Sequence, residues 1–236
     1  MRIALIGYGA MGRLVAKQAQ DAGDEIGATL TSLQARCQVE EIANSLHGHD
    51  VAIDFSVGSA VLTHVEATAR AGVPLVEGTT GWNPRHAEAR NIVAEHDGAL
   101  VYGANFSIGV NVFYRIVAHV ASLFASVREY EPFIEEAHHK RKRDAPSGTA
   151  LHLRDLLAQH LNGDIAISST RAGFIPGTHR VGFDSAADQI TLEHTARSRE
   201  GFAAGALLAA RWIMGRKGVY EFSEVMEEIL LRGSQQ

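Results

Sequence analysis

A single cysteine, Cys37, stands among the 236 residues, so no intramolecular disulfide can form. That excludes the small disulfide-stapled scaffolds and suits a reducing compartment. Also missing is any apolar run of membrane-spanning length. The amino terminus opens directly into a strand-like stretch, without the charged segment and apolar core of a secretion signal. A cytoplasmic protein with no membrane partner is therefore expected. Nor is there an excess of positive charge: 22 Lys and Arg face 27 Asp and Glu, a net charge of −5 with the twelve histidines neutral. The molecule as a whole then has no attraction for nucleic acid, and any anion binding must come from local clusters. Internal repeats, low-complexity tracts and an obvious linker are lacking as well.

What is present is an ordinary globular composition on a chain long enough to bury a sizeable core. The first half alternates between two periods. Ile3 to Ile6, Ile26 to Leu30, Val51 to Phe55, Val73 to Val76 and Ala99 to Tyr102 are short apolar runs. Between several of them lie helical patterns, Met11 to Gln20, Ser59 to Ala71 and a segment from Pro84 to about His96. Strands separated by helices of this length indicate βαβ units, a Rossmann-type parallel sheet. After Phe106 the rhythm changes. A long apolar helix from Ile108 to Phe124 precedes a strand from Glu131 to Glu136 and a helix from Gly148 to Leu161 that Ser147 can cap. Three closely linked strands follow, Ile165 to Thr170, Arg180 to Phe183 and Gln189 to Thr195, then helices at Phe202 to Met214 and Ser223 to Leu231. The expectation is an α/β domain, residues 1–105 with 202–236, and an α+β domain with an open mixed sheet, residues 106–201.

The sequence Gly7-Tyr8-Gly9-Ala10-Met11-Gly12 follows a strand and opens a helix. In that position Gly7 permits a sharp turn, Gly9 admits a pyrophosphate to the backbone, and Gly12 allows close helix–strand packing. The N–H groups at the helix start then face the phosphates. An acidic residue that would grip the ribose hydroxyls should end the second strand, but Thr31 and Ser32 stand there. No carboxylate repels a 2′-phosphate, and Arg36 is the nearest cation in the sequence. NADH and NADPH both remain open, with a lean toward NADPH. Asp54, at the end of the third strand, is as readily a cap for the turn that follows.

The second unusual stretch is Glu136-Ala137-His138-His139-Lys140-Arg141-Lys142-Arg143-Asp144-Ala145-Pro146-Ser147-Gly148-Thr149. Six consecutive residues carry, or can carry, positive charge in an acidic protein, and they run into a helix start where backbone N–H groups can hold a carboxylate. Histidine titrates near neutrality and lysine is a strong proton donor. A solvated loop or a polyanion site would show the same charge run. Metal is not expected, since there is no HExxH spacing and only one cysteine.

Both stretches together resemble the dihydrodipicolinate reductase family. The resemblance rests on Glu136 to His139 with Lys142 and Asp144 to Ala150, on Gly78-Thr79-Thr80-Gly81, on Ala104 to Ser107 with Gly109-Val110-Asn111, and on Phe202-Ala203 with Gly205-Ala206. It implies reduction of 4-hydroxy-tetrahydrodipicolinate, by way of dihydrodipicolinate, to tetrahydrodipicolinate in lysine and diaminopimelate biosynthesis. By the same resemblance His138 and Lys142 are catalytic, with the proton donor open between them, and His139, Ser147, Gly148 and Thr149 hold a small dicarboxylate. Gly7 to Gly12, Thr31, Phe55, Gly78, Thr79, Thr80, Gly103, Ala104, Asn105 and Phe106 fall on nicotinamide-cofactor segments. The family's second domain binds substrate and builds a homotetramer. Two departures stand out: the glycine turn is one residue shorter than in many members, and Thr31 replaces a frequent acid. Outside this family, the pattern fits another two-domain dehydrogenase acting on an amino or carboxylic acid, or a non-catalytic cofactor sensor.

Overall fold

The computed structural model describes residues 1–31 and 38–233. Ser32, Arg36 and Cys37 lie outside the described residues. The chain forms two compact units, one from residues 1–108 with the segment from Arg199 onward, the other from Gly109–Ser198.

The first unit is a six-stranded parallel sheet. Its strands are β1 (Arg2–Ile6), β2 (Glu25–Leu30), β3 (Val51–Asp54), β4 (Leu75–Glu77), β5 (Ala99–Tyr102) and β10 (Gly218–Glu221), in the spatial order β10-β5-β4-β3-β1-β2. Ile3 to Ile6 and Val51 to Ile53 are at most 1% exposed, as strands covered on both faces must be. The connections are α1 (Ala10–Asp21), α2 (Val39–Leu46), α3 (Val61–Ala71) and α4 (His86–Glu95). Two of these elements lie beyond the sequence patterns described above. Helix α2 is only eight residues, two turns with three buried positions, and β10 is a four-residue strand with no fully buried side chain. Strand β10 reads Gly218-Val219-Tyr220-Glu221 and lacks the continuous apolar run that marks the equally short β3, β4 and β5, and two turns give α2 little helical periodicity.

Helix α7 (Glu200–Ile213) buries Ala203, Gly205, Ala206, Leu207, Ala209, Ala210 and Ile213, and it packs on α1, β3, β4 and β5. A side chain on Gly205 would sit 1.8 Å from the Phe106 carbonyl oxygen, so small residues are what let this helix lie close. Helix α8 (Phe222–Gly233) completes the unit. Among the described residues no helix is long and apolar enough to cross a membrane.

The second unit contains α5 (Ile108–Phe124), β6 (Glu131–His138), α6 (Gly148–Ala158), β7 (Ala166–Arg171), β8 (Thr178–Asp184) and β9 (Gln189–Thr195). Its sheet runs β7-β6-β8-β9 and is mixed, with β6 and β7 parallel and the other pairs antiparallel. Phe113, Val117 and Ala121 of α5 and Ala150, Leu153 and Leu157 of α6 bury against Ile134, Val181 and Phe183 of the sheet. Leu153 is 0% exposed, so Leu153→Ala should cost about 2–5 kcal/mol of stability. Chemical denaturation read by far-ultraviolet circular dichroism checks this as a lowered midpoint.

Candidate active site

The carboxyl ends of the first unit's strands form a cleft of about 470 Å³, lined by Gly9, Ala10, Met11, Phe55, Ser56, Val57, Gly58, Gly78, Thr79, Thr80 and Arg199. Carboxyl ends are where open parallel sheets bind ligands. A smaller cleft of about 290 Å³ lies at the amino ends, near Asp50, Pro74 and Lys217, away from the glycine turn. Gly7 has φ +86°, and a β-carbon there would stand 2.7 Å from the Phe55 carbonyl oxygen. At Gly12 a β-carbon would meet the Gly7 carbonyl oxygen at 2.1 Å, so this glycine packs the helix start against the turn itself. Beside Gly9 there is open space. Gly9 is also the N-cap of α1, no side chain caps it, and the first turn holds no acid. The helix therefore presents uncapped N–H groups and its positive end to a roomy cleft. This arrangement fits the pyrophosphate of a dinucleotide.

The expected cofactor residues divide by position. Gly9, Ala10, Met11, Phe55, Gly78, Thr79 and Thr80 line the cleft, and Gly7 and Gly12 shape its turn. Tyr8, Thr31 and the Gly103 to Asn105 stretch lie at the same edge of the sheet but outside that lining. Phe106 is 2% exposed, with its ring against Phe55 and Phe222. Arg199 carries no motif of its own and reaches the cleft only because the chain returns to this unit ahead of α7.

In the second unit, strand alternation and register assemble the chemistry. On β6 the helix-covered face reads Ile134, Glu136, His138. Ser169 and Arg171 of β7 are register partners of Glu136 and His138, and His179 of β8 is the partner of Glu136 from the other side. The apolar core thus gives way to ionisable groups toward the end of β6. His138 is the last residue of that strand and is buried, not a member of the basic loop where the charge run placed it.

Glu136 anchors the group. Arg171 donates to both of its oxygens, Nη1 to Oε2 at 2.9 Å and Nη2 to Oε1 at 2.7 Å. The Ser147 N–H donates to Oε1 at 3.2 Å, and His138 Nδ1 lies 2.5 Å from Oε2. Burial alone would raise the Glu136 carboxyl, but hydrogen bonds from Arg171, Ser169 and His138 outweigh it and hold the group down at about 2. With Nδ1 turned to the carboxylate, His138 presents Nε2 for proton transfer. Gly177 keeps that edge clear, for a β-carbon there would stand 3.2 Å from Nε2. Burial lowers the His138 pKa, opposed by Glu136 and assisted by Lys142 and Arg171.

Ser147 is 1% exposed, and its hydroxyl is already engaged. It accepts from Ala150 N–H at 3.2 Å and lies 3.0 Å from His179 Nε2. The structure thus gives this side chain a capping role, because the hydroxyl is closed into the fold. Gly148 is exposed with open space where a side chain would stand, and Thr149 is half-buried. Lys142 Nζ pairs with Asp144 Oδ2 at 2.9 Å. His139 is half-buried, with a buried Nδ1 that has no hydrogen-bond partner among the described residues. Lys140, Arg141 and Arg143 are exposed. Glu136, His138 and His179 bring one ligand-type atom each within 4.8 Å of one another. A cation there would have to compete with Arg171, which occupies both Glu136 oxygens.

Family profiles described as dihydrodipicolinate reductase match most of the chain, the N-terminus profile over residues 1–106 and the C-terminus profile over residues 109–226. The chain belongs to the dihydrodipicolinate reductase family. A 4-hydroxy-tetrahydrodipicolinate reductase of Christiangramia forsetii is 35% identical, covering 97% of this chain and 99% of that protein. One from Methanosarcina barkeri is 38% identical over 75% of this chain and 73% of the relative. The solved structure titled dipicolinate-bound dihydrodipicolinate reductase, from Paenisporosarcina sp. TG-14, shares the fold with a TM-score of 0.75 at 20% identity, covering 94% and 97% of the two chains. Arg171, His179 and Gly177 are the residues around Glu136 and His138 that the sequence patterns passed over. A period of two is written around each, as Ile167-x-Ser169-x-Arg171 and His179-x-Val181-x-Phe183, but the register that brings them to Glu136 is not local.

His179 supplies a test of this network. Burial first, then the nearby His138, lowers its pKa to about 4 from the ordinary 6.5. A histidine with a depressed folded-state pKa stabilises the fold fully above the unfolded value and loses that stabilisation as pH falls toward the folded one. Melting temperature should therefore fall between pH 6.5 and about 4, and the fall should be smaller in His179→Asn. Thermal melts across that window check it.

Proposed function

We propose that this chain reduces 4-hydroxy-tetrahydrodipicolinate, by way of dihydrodipicolinate, to tetrahydrodipicolinate, a step of lysine and diaminopimelate biosynthesis. The carrying observation is His138 fixed by Glu136 beside an exposed helix start, within a chain that matches the reductase family over most of its length. The first unit takes the dinucleotide and the second takes the substrate. Bound in the cleft, the reduced nicotinamide supplies a hydride.

The protein's own groups do the rest. The N–H groups of Gly148 and Thr149 at the start of α6 receive one carboxylate, and the half-buried His139 contributes to holding the dianion. Lys140, Arg141 and Arg143 draw the anionic substrate in. Reducing one double bond consumes one hydride and one proton. Burial keeps His138 toward its neutral form, which makes it a poor donor, so the proton comes from the Lys142 ammonium. Asp144, held below the usual carboxylate range first by its hydrogen bond from Lys142, keeps that ammonium in place. His138 Nε2 then stands ready to take up or pass on a proton. Thr31 offers no carboxylate against a 2′-phosphate, which supports use of NADPH alongside NADH. A cytoplasmic homotetramer assembled through the second unit completes the proposal.

Following loss of nicotinamide absorbance with freshly generated substrate and each cofactor tests the reading. Lys142→Ala should lower kcat by about 10²–10⁴-fold and leave NADPH affinity unaltered. Unchanged turnover refutes the proton-donor role. Activity confined to amino or carboxylic acids other than dihydrodipicolinate refutes the substrate.

A further inference from the structure

Away from the reductive machinery, the first unit buries two acids side by side. Asp54 ends β3 and Glu77 ends β4, they are register partners, and both are 0% exposed. His64 of α3 is equally buried and places Nδ1 2.5 Å from Asp54 Oδ2. Each acid holds a loop. Asp54 Oδ1 accepts from Ser56 N–H at 2.8 Å, and Glu77 Oε1 accepts from Thr79 N–H at 2.6 Å. Thr79 Oγ1 also accepts from Ser56 N–H, at 3.1 Å, which joins the loops to each other. Ser56 to Gly58 and Gly78 to Thr80 are the two loops that line the dinucleotide cleft opposite the glycine turn.

Two ionised carboxylates cannot share so dry a space cheaply. Glu77 Oε2 has no hydrogen-bond partner among the described residues, so a charge on it would be buried and unanswered. Burial, and then the Asp54 charge, push the Glu77 carboxyl well above its ordinary range. Other ionisable groups stand further along the same face. Tyr102 of β5 is the register partner of Glu77, and its ring and hydroxyl meet His86 and Arg90 of α4. Glu221 of β10 lies one strand beyond.

We propose that Glu77 is a positioning residue whose neutral carboxyl, together with Asp54 and His64, sets the two loops that shape the dinucleotide cleft. This rests on the reading of that cleft as the cofactor site. Ionising Glu77 puts a second negative charge beside Asp54, forces the pair apart and displaces the Thr79 amide, so the loops lose their spacing. Cofactor affinity is thereby tied to a proton that takes no part in the reduction.

The test is the NADH dissociation constant, read by fluorescence titration of the full-length protein from about pH 6 to about pH 9, with circular dichroism to follow folding. In the wild type, affinity should fall by about tenfold for each pH unit above the Glu77 ionisation. Glu77→Gln, isosteric and permanently neutral, should abolish that alkaline fall. In Asp54→Asn the neighbouring charge is gone, so the fall should move to lower pH. An equal fall in wild type and Glu77→Gln overturns the inference, as does a fall that stays in place in Asp54→Asn, or a flat wild-type profile with normal binding. Absence of NADH and NADPH binding at every pH overturns the cofactor reading itself, and the inference with it.

Discussion

A buried carboxylate with no charge to answer it would unfold this molecule's second unit at its most important point, and Arg171 is the answer. The guanidinium meets both oxygens of Glu136 in a two-point contact, and the Ser147 amide, the His138 ring and the Ser169 side chain also bond to that carboxylate. One fixed anion thereby aligns three elements: the end of β6, the start of α6 and the end of β7. Removing either partner strands the other in a dry environment, a penalty on the order of 3–5 kcal/mol, whereas the intact pair contributes far less net stability than its contacts suggest. Its value lies in geometry. His138 has one ring nitrogen committed and the other free to work, and α6 begins where an anion can meet its amides.

The two units offer negative charge different surroundings. The first relies mainly on backbone, with Arg199 as the cation in its cleft lining among the described residues. An uncapped helix and a glycine turn bring dipoles to the cleft without a cation from that motif, which suits a pyrophosphate already neutralised in part by solvent ions. The second sets full charges, from Lys140 to Arg143, beside its helix start, an arrangement suited to a compact dianion.

Much of the first unit was legible because each of its long strands is a continuous apolar run and each glycine of the turn sits where a strand hands over to a helix. Helix α2 escaped because two turns give little periodic signal, and β10 because Gly218-Val219-Tyr220-Glu221 is only partly buried and is no continuous apolar run. In the second unit the His138–His139 pair, Lys142 and the Ser147 cap could be read from the order of residues, since caps and charge runs are local. The role of Glu136 could not. It depends on which strand lies on each side of β6, and sequence distance from Glu136 to Arg171 and His179 says nothing about register. Ser147 illustrates the converse: a hydroxyl at a helix start is a candidate ligand contact by pattern, and only its burial against His179 shows that the fold has already used it.

The strand that forms one edge of the nucleotide sheet, β10, is made from residues 218–221, more than a hundred positions after its neighbour β5, and α7, which covers the sheet, also follows the entire second unit. During synthesis the ribosome therefore releases five of the six strands long before the edge and the covering helix exist. Until then β5 is an open border, and one face of the sheet lacks its small-residue lid. The middle unit, by contrast, is continuous in sequence and can close as soon as β9 has emerged. Order of manufacture and order of completion are thus reversed: the half begun first is finished last, and amino-terminal fragments of this enzyme should be sticky, incomplete sheets, not working nucleotide binders.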